Sequence, residues 1–544
     1  MQLFLAFFVA LSITALLIPL LERVAPRIGL TDEPNPRKVH STPVPRIGGI
    51  AMAAGILAAL LVGTDFGPRL QGLALGVSVL LAFGIWDDRR ELDYRTKLLG
   101  QLVAVTLCLA FSDVRIATLT LAGRHALPVD LSTLLTGAFL LGVTNAVNLS
   151  DGLDGLAGGM ALLCCCGIAL LALSSGDLPV VAVALVVAGA TLGFLRFNTH
   201  PARVFMGDSG SQVLGFTVGV LAILATQGEA TAVSAALPLL LIGMPIMDTL
   251  AVMWIRLREG RSPFRADRNH VHHRLLAFGF RHGEAVVLVY LLQGALFLLA
   301  YFMRFESDLL IVATFLGFAT LVLGLLRFAA RSGWRARDGA HRTRLALAAD
   351  QLRARIGRSG IPALAGVLAT LAVMAYAARV VLAAPRIGTD IAWLAGGLLG
   401  VLALAAVLRR ARGDLPLLDR ALAYTAVVLI VYLDQLRGDT GSAGNLLTWA
   451  LLGTAALAAV GRLTFSPQQR FGASSLDLLV LFVAVVVPQL PGPLQSAPLF
   501  TGGVAKAVVL LYVTEMVLAL ERRRALPAVL LASLLVLMLL RAVS

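Results

Sequence analysis

Long apolar runs recur along almost the whole chain and restrict its fold more than any other feature. About eighteen runs of roughly 17–25 mostly apolar residues can be counted, and each could cross a hydrocarbon core about 30 Å thick. A segment inside a bilayer must satisfy its own backbone N–H and C=O groups, which leaves helices or a closed barrel. Because the runs are continuous rather than alternating, the sequence predicts an all-α, polytopic membrane protein with about 18 transmembrane helices.

The predicted topology accounts for the excess of basic residues in the chain. The sequence has 45 Lys and Arg against 31 Asp and Glu, a formal net charge of +14. If the N-terminus faces outward, most of these basic residues fall in cytoplasmic loops, as the positive-inside rule expects of a plasma-membrane protein. The charge then faces anionic head groups and anionic cytoplasmic substrates. We therefore expect membrane lipids, and not nucleic acid, as partners.

The loops divide the chain into two parts. Residues 1–328 hold about eleven predicted spans, and their cytoplasmic loops are rich in Asp, Asn, His and Gly. Residues 360–544 hold about seven more spans without comparable polar clusters, so their role is unassigned. Residues 329–359 are basic and predict a cytoplasmic linker that lies on the inner leaflet as an amphipathic helix. Since the polar clusters all precede the linker, we expect residues 1–335 to suffice for the chemistry.

Five polar clusters follow odd-numbered predicted spans, so all five lie on the cytoplasmic face in this topology. They are TDEPNPRKVHSTPVPRIGG (31–49), WDDRRELD (86–93), NLSDGLDGLAGG (148–159), FNTHPARVFMGDSGS (197–211) and RSPFRADRNHVHHRLLAFG (261–279). Ionisable groups in a membrane are costly and usually functional. The clusters therefore predict one site at the rim of the membrane.

The acidic residues of these clusters predict a hard divalent cation. The aspartates that would converge on this face are Asp87, Asp88, Asp151, Asp154 and Asp208. Carboxylates this close repel one another, and oxygen ligands together with substrate phosphates are typical of Mg²⁺. The basic residues that would hold anionic groups are Lys38, Arg46, Arg265, Arg268 and the loop histidines. Together with glycine-rich turns that open helices, this pattern predicts phosphoryl transfer onto a membrane-embedded acceptor.

Simpler interpretations stay open for several motifs. The Asp87–Asp88 pair could end a helix, and DGLDG could be a turn with a cap. The HVHH run (270–273) could be a metal triad, although its Arg-rich surroundings favour contact with phosphate or sugar. Asp248, inside a predicted span, could be either a packing residue or a site residue.

In order and type, the five clusters resemble those of the polyprenyl-phosphate N-acetylhexosamine-1-phosphate transferase family, which includes the phospho-MurNAc-pentapeptide translocase. The resemblance covers about residues 1–330, and DEPNPRKVHSTPVPRIGG and DRNHVHHRL are similar to the branch that initiates O-antigen, common-antigen or teichoic-acid linkage units. It implies that N-acetylhexosamine 1-phosphate passes from a UDP-N-acetylhexosamine, with UDP-GlcNAc expected, to undecaprenyl phosphate, releasing UMP. This would be the first membrane step of cell-envelope glycan synthesis, at the cytoplasmic face of the bacterial inner membrane.

The resemblance also implies roles for individual residues. Catalytic residues would be Asp87, Asp88 and Asp151, and Asp87 would remove a proton as the proposed base, orient or desolvate the lipid phosphate, or act as a nucleophile that forms an aspartyl-phosphate intermediate. Ligands of Mg²⁺, for which Mn²⁺ can substitute, would be Asp208 and Asp151. Nucleotide-binding residues would be Asn148, Asp154, Asn198 and Phe205. Residues that contact diphosphate or sugar would be Arg265, His270, His272, His273, Lys38 and His40.

Two other classes of function also suit a polytopic chain. A transporter of lipid-linked substrates would carry its ionisable groups near the bilayer midplane, often within inverted repeats, whereas here they cluster at one rim. A scaffold of a glycan assembly complex would suit residues 360–544 better than the N-terminal part. A homodimer is one candidate assembly.

Overall fold

The computed structural model shows two compact units that are built mainly from α-helices. One unit comprises Met1–Gly339 together with Ser474–Leu479, and the other comprises Ala340–Ala473 and Val480–Ser544. The residues that the structure describes are 2–33, 43–63, 68–120, 123–228, 233–262, 269–336, 355–356, 359–384, 389–412, 416–436, 441–465, 474–486, 503, 506–514 and 525–543.

The first unit is a bundle of helices with two small strand pairs. Its helices, up to the end of the Met1–Gly339 stretch, are α1 Gln2–Ile28, α2 Gly48–Gly63, α3 Pro68–Arg90, α4 Tyr94–Phe111, α5 Val129–Leu149, α6 Leu156–Ser174, α7 Leu178–Asn198, α8 Gly207–Gln227, α9 Pro238–Leu241, α10 Gly243–Arg258, α11 Val271–Ala277, α12 His282–Phe302 and α13 Asp308–Arg331. The antiparallel strand pairs are β1 Thr31–Asp32 with β2 Val44–Pro45, and β3 Thr118–Thr120 with β4 Arg124–Ala126.

The predicted fold class is confirmed. Among the described residues, nine helices are long and apolar enough to cross a membrane. The chain is therefore an all-α, multi-pass membrane protein. The number of about 18 spans stays a prediction, as does the division at residues 329–359.

Helices α6, α7 and α8 form the centre of the first unit. The most apolar 18-residue window is 89% buried in α6, 83% in α7 and 100% in α8, compared with 22% in α13. Helices α1 and α2 pack on α7, while α3 and α5 pack on α8. Since α8 is enclosed by other parts of the protein, the residues in its first turn lie at the end of a buried helix.

Glycines allow the backbones of neighbouring helices to touch at the start of α8. A Cβ atom on Gly49 of α2 would lie 2.6 Å from the Gly210 Cα atom, and one on Gly84 of α3 would lie 2.6 Å from the Ser209 backbone nitrogen. Close contacts between small residues are the usual way in which helices associate in lipid. The first turn of α8 is therefore held between α2 and α3.

A buried glutamine bridges the break between α9 and α10. Gln293 of α12 accepts a hydrogen bond from the Met244 N–H (3.1 Å) and donates one to the Leu241 carbonyl (2.7 Å). An unpaired backbone group in lipid costs several kcal/mol, so an interrupted span needs such a partner. Gln293 is fully buried, which suits this role.

The described residues of the second unit are also mainly helical. The C-terminal helices are α14 Ile361–Ala383, α15 Thr389–Arg412, α16 Pro416–Leu436, α17 Gly441–Phe465, α18 Ser475–Val486, which begins in the first unit's Ser474–Leu479 segment, and α19 Ala525–Val543. Alanines of α14 and α17 make a small buried cluster with Val513. Asp434 is buried and accepts hydrogen bonds from Lys506 (2.6 Å) and from the Tyr376 hydroxyl (3.0 Å).

Candidate active site

Asp88, in the last turn of α3, caps the N-terminus of α8. Its two carboxylate oxygens accept hydrogen bonds from the backbone N–H groups of Asp208 (2.8 Å) and Ser209 (3.1 Å). Gly207 has a φ of +73°, and a Cβ atom there would lie 2.7 Å from Asp88 Oδ1. A glycine is therefore needed at this turn for both its conformation and the close approach of the carboxylate. The position at the helix terminus that favours an anion is already filled by Asp88.

Asp208 is held on both of its oxygens. Asn148, at the end of α5, donates to Asp208 Oδ1 (2.5 Å) and also to the Ser211 hydroxyl (2.8 Å). Lys97 approaches the other oxygen, with its Nζ atom 3.0 Å from Asp208 Oδ2. The Asp208 side chain keeps 25% of its surface exposed. It is thus fixed in orientation and still accessible from outside the protein.

Lys97 links Asp208 to Asp87. Its Nζ atom lies 2.5 Å from Asp87 Oδ2, and the other Asp87 oxygen accepts a hydrogen bond from the Leu92 N–H (2.6 Å). The Asp93 side chain caps α4 by accepting from the N–H groups of its first residues, which places Lys97 in the first turn of the helix. A cation between two carboxylates stabilises their charged forms.

Asp151 lies in the loop between α5 and α6, close to other carboxylates. Burial raises its pKa to about 7, and the negative charges of Asp208, Asp88 and Asp154 add to the effect. A carboxyl group perturbed in this way is typical of a site that receives a cation or takes part in catalysis. Asp151 therefore lies where an added positive charge would stabilise its ionised form.

Asp154 lies in the same loop and contacts two histidines. Its Oδ2 atom is 2.7 Å from His200 Nδ1 and accepts a hydrogen bond from the Ala202 N–H (3.1 Å). The His282 Nε2 atom is 4.0 Å from the same oxygen, and the two imidazole rings stack with centroids 4.0 Å apart. Potential ligand atoms of Asp154, His200 and His282 all lie within 4.8 Å of one another, so this group could also hold a metal ion.

Asn198 connects two of the loops. Its side-chain oxygen accepts a hydrogen bond from the Gly155 N–H (2.9 Å), and its side-chain nitrogen donates to the Val204 carbonyl (2.9 Å). Only 3% of the residue is exposed. Both ends of the amide are therefore used to fasten the loop that contains Asp151 and Asp154 to the segment before α8.

Asp248 organises the start of α11. Its Oδ2 atom is 2.9 Å from His270 Nδ1, and its Oδ1 atom accepts a hydrogen bond from the Val271 N–H (2.8 Å). Asp248 and His270 are both buried. Asp248 thus holds the start of the histidine-containing loop in place.

The His272 imidazole packs directly against Gly152, in the loop that contains Asp151, where a larger residue would not fit. A Cβ atom on Gly152 would lie 2.7 Å from His272 Cε1 and would overlap with its Nε2 atom. The imidazole is 3% exposed, and among the described residues Nε2 has no hydrogen-bond partner. Burial, together with the charge of His273, lowers the pKa of His272 to about 4. His272 is therefore neutral at physiological pH and offers an unused ring nitrogen beside the acidic loop.

Comparison with known proteins agrees with this arrangement. Residues 70–226, which carry the acidic clusters, match the family described as glycosyl transferase family 4. Over 295 residues the chain is 37% identical to a probable undecaprenyl-phosphate N-acetylglucosaminyl 1-phosphate transferase of Bacillus subtilis, a match that covers 53% of this chain and 81% of that protein. The chain belongs to glycosyl transferase family 4. The family resemblance inferred from the sequence is therefore confirmed.

Two further relatives of this family 4 protein point the same way. A decaprenyl-phosphate N-acetylglucosaminephosphotransferase of Mycolicibacterium smegmatis is 36% identical over 305 residues, covering 50% of this chain and 74% of the relative. An undecaprenyl-phosphate alpha-N-acetylglucosaminyl 1-phosphate transferase of Salmonella typhi is 32% identical over 292 residues, covering 52% of this chain and 79% of the relative. Each of these names specifies a polyprenyl phosphate and an N-acetylglucosaminyl phosphate group.

Among the residues that the structure describes, most of those that the family resemblance identifies as site residues lie close together. Asp87, Asp88, Asn148 and Asp208 form one connected cluster, and Asp151 lies within electrostatic range of it. Phe205 is held by its backbone, which accepts from the Gly48 N–H (3.0 Å) and donates to the Pro45 carbonyl (2.8 Å). The expected uracil contacts of Asn198 and Phe205, and the other ligand contacts, stay predictions.

Four residues expected at the site lie outside the described residues, namely Lys38, His40, Arg265 and Arg268. Conversely, Lys97 is central to the site and was not singled out from the sequence. Its only signal there is position: it follows the WDDRRELD motif closely enough to fall in the first turn of the next helix. A lysine at the end of a cytoplasmic loop is also expected from topology alone, which hides its role.

Proposed function

We propose that this family 4 protein transfers N-acetylglucosamine 1-phosphate from UDP-GlcNAc to undecaprenyl phosphate and releases UMP. The names of its relatives support an N-acetylglucosaminyl 1-phosphate group and a polyprenyl phosphate acceptor. The observation that carries the proposal is the Asp208 carboxylate, which Asn148 and Lys97 hold by both oxygens at the start of a buried helix. Such a rigid and partly accessible anion suits phosphoryl transfer, where catalysis rests on positioning and electrostatics.

Mg²⁺ is the metal proposed for this site. Asp208 and Asp151 would hold it, because hard oxygen ligands suit this ion and because Asp151 is destabilised by the charges around it. When bound, the metal would neutralise the negative charge that develops on the transferring phosphoryl group. The nearby group of Asp154, His200 and His282 contains nitrogen ligands and suits Mg²⁺ less well.

The proposed reaction is a direct displacement. An oxygen of undecaprenyl phosphate forms a bond to the β-phosphorus of UDP-GlcNAc, and the bond from that phosphorus to the bridging oxygen breaks. UMP leaves with that oxygen, and N-acetylglucosamine remains attached to the new diphosphate. The attacking monoester needs no strong base, since its second pKa is about 6 and it is mostly dianionic at neutral pH.

The chain's own residues would orient the phosphates and neutralise their charge. Lys97 lies between Asp87 and Asp208 and can contact an incoming phosphate oxygen, so Asp87 would position Lys97 rather than remove a proton. Asp88 would keep Asp208 in place through the first turn of α8. The free nitrogen of neutral His272 would donate to an oxygen of the diphosphate or sugar.

The proposed location is the bacterial inner membrane, with the site on the cytoplasmic face. The excess of basic residues in the loops on the side of the site supports this orientation. UDP-sugars are water-soluble, whereas undecaprenyl phosphate lies in the bilayer, so a site at a membrane rim suits both substrates.

The direct test is release of UMP by the purified full-length chain. The protein would be placed in nanodiscs with undecaprenyl phosphate and Mg²⁺ and offered UDP-GlcNAc, UDP-GalNAc, UDP-MurNAc-pentapeptide or UDP-glucose. We expect UMP release with UDP-GlcNAc that stops when EDTA is added or when the lipid is omitted. Release of UMP with none of the UDP-sugars would contradict the proposed function.

A further inference from the structure

A short stretch from the C-terminal part of the sequence is packed into the first compact unit. Ser474–Leu479 belongs to this unit although residues 340–473 belong to the other. Two of its side chains are deeply buried there, since Ser475 is 6% exposed and Leu479 is 2% exposed. Relatives match only about half of the chain, and the expected catalytic residues all precede residue 280. The burial of this stretch therefore calls for a physical role.

The first contact of the segment is with Tyr290 and Gly155. The Tyr290 hydroxyl donates to the Gly155 carbonyl (2.6 Å) and is also hydrogen-bonded to the Ser475 side chain. A Cβ atom on Gly155 would lie 3.8 Å from Ser475 Oγ. Gly155 follows Asp154 directly and has a φ of +83°, so this turn depends on the groups that surround it.

A second interaction of the segment is electrostatic and involves the end of α7. The Asp477 carboxylate accepts a hydrogen bond from the Ser474 N–H (2.6 Å), and the charge of Arg196 acts on it. Arg196 lies in the last turn of α7, two residues before Asn198. Asn198 in turn accepts a hydrogen bond from the Gly155 N–H (2.9 Å), so α7 and Tyr290 both hold the same glycine.

We infer that residues 474–479 are a positioning segment for the loop of Asp154 and that, through it, the C-terminal part of the chain contributes to binding of the nucleotide-sugar. Tyr290, which is hydrogen-bonded to Ser475, holds the Gly155 carbonyl, and Asn198, at the end of α7, holds the Gly155 N–H. Asp154, which contacts His200, directly precedes Gly155 in the chain. The inference rests on the proposed function, because it assigns the loop of Asp154 to the nucleotide-sugar.

This inference changes the expected role of the C-terminal part. From the sequence, residues 1–335 were expected to suffice, because no polar cluster of the catalytic type follows them. Two serines and an aspartate among three leucines carry no such signal, and the proposed role of Ser475 and Asp477 depends on the hydrogen bond to Tyr290 and on the charge of Arg196. The loop of Asp154 would therefore be less ordered, and bind its ligand more weakly, when the segment is displaced.

The test uses the full-length chain with Ser475→Leu and a matched control, Ser359→Leu. Ser359 is an exposed serine whose hydroxyl bonds to the Ile356 carbonyl in its own turn. Small displacements of groups that position a substrate cost up to about 10²-fold in rate. We expect Ser475→Leu to raise KM for UDP-GlcNAc about tenfold, with kcat and the KM for undecaprenyl phosphate within about twofold of the parent. Ser359→Leu should match the parent.

A charge exchange provides a second and independent variant. Asp477→Arg and Arg196→Asp should each raise KM for UDP-GlcNAc, and the double variant should restore it, since opposite charges would again face each other. A raised KM in the single variants without restoration in the double variant would contradict pairing of these two groups. Parent-like KM in both Ser475→Leu and Asp477→Arg would overturn the inference.

Binding of UDP-GlcNAc, measured by calorimetry in the absence of lipid, separates this inference from the proposed function. If the parent binds no UDP-GlcNAc and releases no UMP, the proposed function fails, and the positioning role fails with it. If the parent binds UDP-GlcNAc and Ser475→Leu binds it equally well, the proposed function stands and the positioning role is wrong.

Discussion

The Asp88 carboxylate binds the backbone N–H of Asp208 at 2.8 Å, so one acidic residue of the site serves as the helix cap of another. Asp88 also accepts from the Ser209 N–H and is 6% exposed, whereas the Asp208 side chain keeps a quarter of its surface exposed. We therefore expect a substitution of Asp88 to lower the stability of the protein and a substitution of Asp208 to lower its turnover.

Asp88→Ala should lower the stability of the protein. The substitution leaves two backbone N–H groups at the start of a buried helix without a partner, which costs about 1–3 kcal/mol. Thermal unfolding in detergent, followed by circular dichroism, measures the effect. Asp93→Ala, which removes an exposed cap of α4, is a suitable comparison and should cost less. Equal unfolding temperatures for Asp88→Ala and the parent would contradict the capping role.

Asp208→Asn should abolish most turnover while leaving the fold intact. Asparagine keeps the shape of the side chain but lacks the negative charge expected to hold Mg²⁺, and loss of one strong electrostatic contact typically costs about 10²–10³-fold in kcat. UMP release normalised to inserted protein is the measurement. Retention of more than about a tenth of the parent rate, with an unchanged Mg²⁺ requirement, would show that Asp208 is not a metal ligand.

Lys97→Met should lower kcat and, at the same time, lower the Mg²⁺ concentration needed for half-maximal activity. Lys97 Nζ lies 2.5 Å from Asp87 and 3.0 Å from Asp208, so its charge repels a divalent cation bound by the same carboxylates. The charge also faces the phosphates, and its loss should slow turnover about 10²-fold. A titration of UMP release against Mg²⁺ measures both effects. Lys97→Arg, which keeps the charge, serves as the control; a higher Mg²⁺ requirement in Lys97→Met would contradict the assignment.

Gly152→Ala should reduce activity through the position of His272. The added methyl group would overlap with the imidazole, because its carbon would lie 2.7 Å from the His272 Cε1 atom. We expect at least a tenfold loss of kcat/KM, because displaced positioning groups have large effects on rate. Gly142→Ala is the matched control, since a Cβ atom there meets no neighbour within 4 Å. Normal kcat/KM in Gly152→Ala would show that His272 does not act beside this loop.

Asp434→Leu should destabilise the second unit more than the double variant Asp434→Leu/Lys506→Met. Removing one partner of a buried ion pair leaves an uncompensated charge and costs about 3–5 kcal/mol, whereas apolar replacement of both partners is often tolerated. The pair is buried, with Lys506 Nζ 2.6 Å from Asp434 Oδ2. Unfolding temperatures of both variants measure the difference, and a double variant less stable than the single one would contradict this account.

The broad features of the fold could be predicted from the sequence, whereas the membership of the site stays a prediction. Continuous apolar runs predict helices because lipid leaves the backbone no other partner, and the aspartates of separate motifs were expected on one face and are found close together. These predictions succeed because the signals are local: a run of apolar residues, or a carboxylate at the end of a span.

The division of tasks within the site could not be predicted, because it depends on contacts between distant segments. Asp87 and Asp88 are adjacent in the sequence, yet one faces Lys97 and the other faces the backbone of α8. The bonds of Asp248 to His270 and Val271, more than twenty residues further along the chain, likewise have no signal in the sequence. The pairing of a broken span's backbone with Gln293 likewise has no signal in the local pattern of residues.

The contact between Gly49 and Gly210 has a mechanical consequence. The backbones of α2 and α8 are in direct contact and α3 lies close to Ser209, so the helix that carries Asp208 is tightly packed at its first turn. A transporter works by rocking one half of its structure against the other around a central site. Since Asp208 lies at the start of this tightly packed helix, we expect its position to stay the same when ligands bind, with any movement confined to the loops around it.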